Sequence, residues 1–98
     1  MGLDADALSQ DPKATQDFIN CLLETGPCTE EEDKYRLGLP EVVKTTCSKC
    51  SPEVKDFFIK TTRFVSQKHP EQWKKLTAKY DPDGKYEASI LRLAGVKA

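Results

Sequence analysis

Four cysteines stand at Cys21, Cys28, Cys47 and Cys50, spaced C-x6-C-x18-C-x2-C in a chain of 98 residues. A chain this short buries one modest core, and a cross-link or two offsets part of that shortfall. Cysteines used this densely point to disulfides and an oxidising compartment. Two other uses of the thiols fit poorly. A zinc site wants two close pairs, and Cys21 and Cys28 are too far apart, with His69 the lone histidine. Cys47-Ser48-Lys49-Cys50 has the spacing of a redox dithiol, but that motif belongs on a strand–helix–strand scaffold. Two disulfides among four cysteines can form in three ways, and arithmetic leaves the choice open. Local pairing fits the chain, because Gly26-Pro27 turns it back between the first two cysteines and the second two lie one helical turn apart. Loops that short would contribute roughly 2 kcal/mol each and would staple helix ends without tying distant helices together.

The punctuation between the cysteines is helical. Asp11-Pro12 and Ser51-Pro52 pair a capping residue with proline at the first helical position. Thr29 with Glu32 forms a capping box, followed through Glu30, Glu31 and Glu32 by charge that suits a positive helix end. Behind these starts, apolar residues recur at spacings of three and four. The first set is Ala14, Phe18, Cys21 and Leu22, stopped by Gly26-Pro27. The clearest is Val54, Phe57, Phe58, Thr61, Phe64 and Val65, which makes one broad face ending at His69 before Pro70. Pro70 then opens a short helix showing Trp73, Leu76 and Tyr80. Asp81-Pro82-Asp83-Gly84 is a turn, and a last helix carries Tyr86, Ile90, Leu93 and Ala94, closed by Gly95. From Tyr35 to Cys50, Gly38 and Pro40 interrupt the pattern. Local rules break the helix near Leu39 and restart it at Pro40, with one kinked helix as the alternative.

Period-two alternation appears nowhere over a useful length, so the fold class is all-α. The expectation is a compact bundle of five to six helices with two short-range disulfides. The count turns on the Gly38–Pro40 region and on a short segment from Leu3 to Leu8. Residues 1–98 read as a single domain, with Met1-Gly2 a start or expression remnant. No basic and apolar leader is visible, and no run approaches the length of a membrane span. Asp6 stands where a myristoylation signal wants Ser or Thr. The chain is therefore read as a mature secreted form; a native Met1 would instead allow a cytosolic protein with free thiols.

Charge is distributed unevenly. Residues 1–33 hold nine acidic groups against Lys13 alone, and residues 34–98 hold fourteen basic against seven acidic. A nucleic-acid groove would interleave those cations with stacking aromatics. Here Phe57, Phe58, Phe64, Trp73 and Tyr80 lie on apolar stripes apart from most lysines, so the two halves are read as attracting each other, with no nucleic-acid partner. Catalysis finds no foothold. His69 sits at a helix end, no serine–histidine–aspartate arrangement presents itself, and no glycine-rich phosphate loop exists. The chain is read as a non-enzyme needing no metal or cofactor.

The local motifs together resemble the insect chemosensory protein family, the OS-D-like four-cysteine soluble carriers. They are Asn20-Cys21-Leu22-Leu23, Gly26-Pro27-Cys28-Thr29, Leu39-Pro40, Cys47-Ser48-Lys49-Cys50, Pro70-Glu71-Gln72-Trp73 and Ala78-Lys79-Tyr80-Asp81-Pro82-Asp83-Gly84-Lys85-Tyr86. The similarity runs from about residue 3 to residue 90. It implies a secreted six-helix protein, disulfides Cys21–Cys28 and Cys47–Cys50, and a helix running through Leu39-Pro40. It also implies an internal apolar channel for long-chain alcohols, esters, fatty acids, or odorant- and pheromone-like molecules. Phe18 stands where the family often has a mobile aromatic at the pocket mouth, and Trp73 matches the family tryptophan. Two departures stand out. The aromatic-rich opening of mature members is missing, and Val54 replaces a common glutamine, removing a polar contact to a ligand head.

The candidate lining is Phe18, Leu22, Leu39, Val43, Val54, Phe58, Thr62, Val65, Trp73, Leu76 and Tyr80. Without the resemblance these positions would read as ordinary packed core. A ligand site in a bundle needs facing apolar stripes and a few polar tips, which Trp73, Tyr80 and Thr61 or Thr62 supply. The protein is thus expected to be a monomeric extracellular carrier of one hydrophobic small molecule, without stable membrane insertion. The competing reading is an amphipathic helical protein that acts on membranes or a protein partner and has no pocket.

Overall fold

Six helices appear in a computed structural model that describes residues 2–97, and no strand occurs among those residues. The reading of Met1 as a remnant lies outside the described residues. The helices are α1 (Ala5–Ser9), α2 (Pro12–Leu22), α3 (Glu30–Thr45), α4 (Pro52–Lys68), α5 (Pro70–Tyr80) and α6 (Glu87–Leu93). α4 is the central element and packs against α1, α5 and α6, while α3 packs against α2 and α5.

The helix starts follow the capping chemistry. Asp11 Oδ1 accepts from Ala14 N at 3.1 Å, and Ser51 Oγ accepts from Val54 N at 3.3 Å, each just ahead of its proline. Thr29 and Glu32 exchange both bonds of a capping box, at 3.1 and 3.0 Å. These bonds satisfy N–H groups that a helix start leaves without partners.

The helix ends depart from expectation. α2 stops at Leu22, ahead of the expected Gly26-Pro27, because Glu24 takes a left-handed conformation at φ 61°. Thr25 N then donates to Asn20 O and Glu24 N to Cys21 O, the paired bonds of a Schellman motif. α3 ends the same way. Thr46 lies at φ 50°, Cys47 N donates to Val42 O and Thr46 N to Val43 O. α6 closes identically on Gly95, at φ 74°, where glycine announces it.

α3 runs unbroken through Pro40, so the break at Leu39 is corrected to a single helix. Proline removes one backbone donor and crowds the preceding turn. The apolar stripe of α3 overrides that local cost: Tyr35, Leu39 and Val43 share one buried face, and the break would have split it.

The disulfides are local, Cys21–Cys28 and Cys47–Cys50, with Cα–Cα distances of 5.0 Å in both. The first joins the end of α2 to the loop before α3, and the second closes the turn between α3 and α4. Ion pairs link the acidic and basic parts of the chain: Lys60 with Asp6 at 3.4 Å, and Glu24 with Arg36 at 3.2 Å and Lys79 at 3.6 Å. Each is half exposed or more on its acidic side, so each adds well under about 1 kcal/mol.

Pro40 is exposed, so replacing it should restore a backbone hydrogen bond without disturbing the core. Pro40→Ala is expected to raise unfolding stability by about 1–3 kcal/mol, read as a higher urea midpoint with unchanged slope. A destabilised variant would mean that the proline bend shapes the packing of α3.

Candidate functional site

One apolar cavity of about 70 Å³ lies among α2, α3, α4, α5 and α6. Phe18 and Tyr35 of its wall pack against Phe57, which lies behind them. Phe18 and Phe57 meet edge to face with ring centroids 5.6 Å apart, Tyr35 and Phe57 at 5.0 Å, and Phe18 and Tyr35 tilted at 5.9 Å. The edge-to-face pairs add about 0.5–1.5 kcal/mol each beyond burial and tie α2, α3 and α4 together.

Every candidate residue except Val54 lines this cavity: Phe18, Leu22, Leu39, Val43, Phe58, Thr62, Val65, Trp73, Leu76 and Tyr80. Val54 lies in the first turn of α4, in a separate groove against Tyr35, Gly38 and Val42 of α3. A glutamine or valine there is too near the start of α4 to reach the chamber. Phe18 sits at the inner side of the chamber wall. It is only 2% exposed and forms part of the packed trio.

The cavity also has lining residues outside the candidate set: Ile19, Tyr35, Thr61, Thr77, Asp81, Glu87 and Ile90. Ile19 neighbours Phe18 and completes the wide face of α2, where a stripe read at strict spacings of three and four stops short. Tyr35, Thr61 and Ile90 belonged to stripes already visible as core. Asp81 and Glu87 carried no signal of a pocket role. Asp81 looked like a turn residue, and Glu87 belonged to no motif.

Polar groups on the wall are mostly occupied. Tyr80 donates its hydroxyl to Leu22 O at 2.5 Å, joining α5 to the last turn of α2. Trp73 Nε1 donates to Glu87 Oε2 at 2.8 Å, joining α5 to α6. Thr61 donates to Phe57 O within α4 at 2.8 Å. Asp81, buried at 6%, accepts from Lys85 N at 2.9 Å, Tyr86 N at 3.0 Å and Glu87 N at 2.9 Å, and so holds the turn that starts α6. Burial pushes the Tyr35 hydroxyl well above its ordinary value, only partly offset by its hydrogen bond with Thr61. Tyr80 is raised as well, chiefly by burial and next by the Glu24 carboxylate.

No set of three or more metal-ligating side chains gathers among the described residues, and no described helix is long and apolar enough to cross a membrane. The site is therefore a partly open apolar chamber with two acidic residues in its wall.

Residues 2–88 match the model of the insect pheromone-binding family A10/OS-D, and the chain belongs to that family, the insect chemosensory proteins. The chain is 37% identical over 84 residues to Ejaculatory bulb-specific protein 3 of Drosophila melanogaster, covering 86% of this chain and 67% of that protein. It is 32% identical over 96 residues to Allergen Tha p 1 of Thaumetopoea pityocampa, covering 97% and 76%. A chemosensory protein in complex with bromo-dodecanol shares the fold at a TM-score of 0.83 and 24% identity, over 90% of this chain and 88% of that one. Antennal chemosensory protein A6 of the moth Mamestra brassicae, in its tetragonal form, superposes at 0.75 with 25% identity, over 99% and 100%.

Tyr35 has a sharp consequence for alkaline stability. Its hydroxyl ionises less readily in the fold than in the unfolded chain, so the folded state holds the proton longer. The contribution is whole below about pH 10, tyrosine's ordinary value, and is lost as pH rises further. Urea midpoints at pH 8 and pH 11 should fall more steeply for the wild type than for Tyr35→Phe; parallel curves would rule the residue out as the cause. Tyr80→Phe, which leaves Leu22 O without its donor, is expected to cost about 1 kcal/mol at neutral pH in the same assay.

Proposed function

We propose that this protein is a secreted, monomeric carrier that holds one long-chain hydrophobic molecule, such as a fatty alcohol or ester, among its helices. The apolar cavity carries this reading. It gathers facing stripes from five helices around a common space, where an ordinary small core would close. Family membership supports it, as does the bromo-dodecanol held by a protein of the same fold. The densely used cysteines favour an extracellular setting.

Binding in this reading involves no bond chemistry. Each methylene moved from water into the chamber gains roughly 0.8 kcal/mol, so selectivity among chain lengths is graded. The chamber as it stands has room for about five water-sized groups, at ~10–15 Å³ each. A twelve-carbon chain needs more, so the helices must separate around it. Nothing covalent opposes that movement, because neither disulfide joins two helices across the chamber. Trp73 borders the cavity and reports its filling.

The test is titration of oxidised protein with dodecanol, following Trp73 emission and displacement of a fluorescent apolar probe. Saturable binding at micromolar concentration is expected, with changed amide spectra at Leu22, Tyr35 and Trp73 as the bundle expands. Protein with both disulfides and full helicity that binds neither molecule would reduce the cavity to a packing gap. Liposome sedimentation would then take up the reading of a membrane-active helical protein.

A further inference from the structure

The charge of the chamber wall is one-sided. The groups that titrate in it are Tyr35, Tyr80, Asp81 and Glu87, and it contains no lysine, arginine or histidine. Ion pairs engage Asp6, Asp17, Glu24, Glu30, Asp33 and Asp56, and Glu53 is engaged as well. Asp81 and Glu87 are not among them, in a chain carrying fifteen lysines and arginines. Asp81 spends its two oxygens on three backbone N–H groups of its own turn. Glu87 accepts through Oε2 from Trp73, and no bond to its other oxygen occurs among the described residues. A carboxylate oxygen can only accept.

We infer that the chamber sorts amphiphiles by the charge of the head group, taking neutral hydrogen-bond donors, above all long-chain alcohols, over long-chain carboxylates. This rests on the carrier reading and assigns the polar end of that site to Glu87, with Asp81 adding to its negative field. An alcohol hydroxyl donates to the open oxygen of Glu87 while its tail fills the space lined by Leu76, Val65 and Ile90. A fatty carboxylate has no proton to donate and brings a second negative charge close to two others. Like charges at short range repel, and screening is weakest on the side of Asp81, which is buried, while Glu87 is half-buried. The remaining wall is too apolar to offset that repulsion. The sorting therefore acts on the head group, independently of chain length.

The experiment is competition against a fluorescent apolar probe at neutral pH, using three molecules with the same twelve-carbon tail: dodecanol, dodecylammonium and dodecanoate. Wild-type protein is expected to bind dodecanol about ten-fold or more tightly than dodecanoate. Dodecylammonium should also bind more tightly than dodecanoate. Both ions lose hydration on entry, so their order reports the sign of the field. Glu87→Gln, which keeps an acceptor for Trp73, should strengthen dodecanoate several-fold and narrow both gaps. Dodecanoate binding as tightly as either competitor in the wild type would overturn the inference and leave the carrier reading standing. Gaps unchanged in the variant would trace the order to head-group hydration alone and would likewise overturn it. Failure of all three to displace the probe would overturn the carrier reading beneath it.

Discussion

Packing of Phe18, Tyr35 and Phe57 joins α2, α3 and α4 through side chains alone, since neither disulfide bridges their facing sides. Each disulfide closes a loop beside a helix end, at sequence separations of 7 and 3. They hold the turns after α2 and α3 and leave the distances between helix axes to side chains. Dispersion and apolar burial are non-directional, so the helices can change separation without breaking a specific geometry. The trio anchors one region of the bundle, and the helices beyond it meet around a chamber. The covalent links of this fold thus lie where the chain turns and not across the space it encloses.

The local rules of helix formation were legible wherever they use distinctive residues. Asp11-Pro12, Ser51-Pro52 and the Thr29–Glu32 box mark their starts because a side-chain oxygen must meet an orphan N–H. Gly95 marks an end because glycine alone enters the left-handed region without strain. Glu24 and Thr46 make the same Schellman turn with side chains that announce nothing, so the end of α2 was misplaced. What turns the chain back there is tertiary: the Cys21–Cys28 disulfide closes the loop that contains Glu24, and its exposed ion pairs to Arg36 and Lys79 add little. Pro40 shows the reverse failure. A strong local signal to break was overruled by burial of Tyr35, Leu39 and Val43 on one helical face.

The candidate site was legible to the same extent as the stripes. Apolar spacing locates Phe18, Leu22, Leu39, Val43, Phe58, Val65 and Leu76 on inward faces, and inward faces must meet. It says nothing of which inward positions enclose a space and which pack shut, because that depends on the angles between helices. Val54 shares the periodicity of α4 yet lies one turn too early to reach the chamber. Asp81 and Glu87 reached the wall through the turn between α5 and α6. The Asp81 carboxylate gathers three successive N–H groups there and carries Glu87 to the side of Trp73. A pattern of hydrophobicity cannot register that, since both residues are polar.

The bonds across the chamber differ in what breaking them would cost. Asp81 is buried, and separating it from its donors would leave a carboxylate unsatisfied away from water, so the α5–α6 turn is the least able to yield. The Tyr80 hydroxyl bond to Leu22 O is single and neutral, and the Glu24 ion pairs beside it are exposed enough to be replaced by water at little cost. On the carrier reading proposed above, a chamber that opened for a ligand would open between α5 and the end of α2, with the turn that Asp81 holds as the hinge. Glu87 and Trp73 stay together on the hinge side. A head group arriving there meets an acceptor whose position is set by the protein, while the tail is accommodated by the part of the bundle that moves.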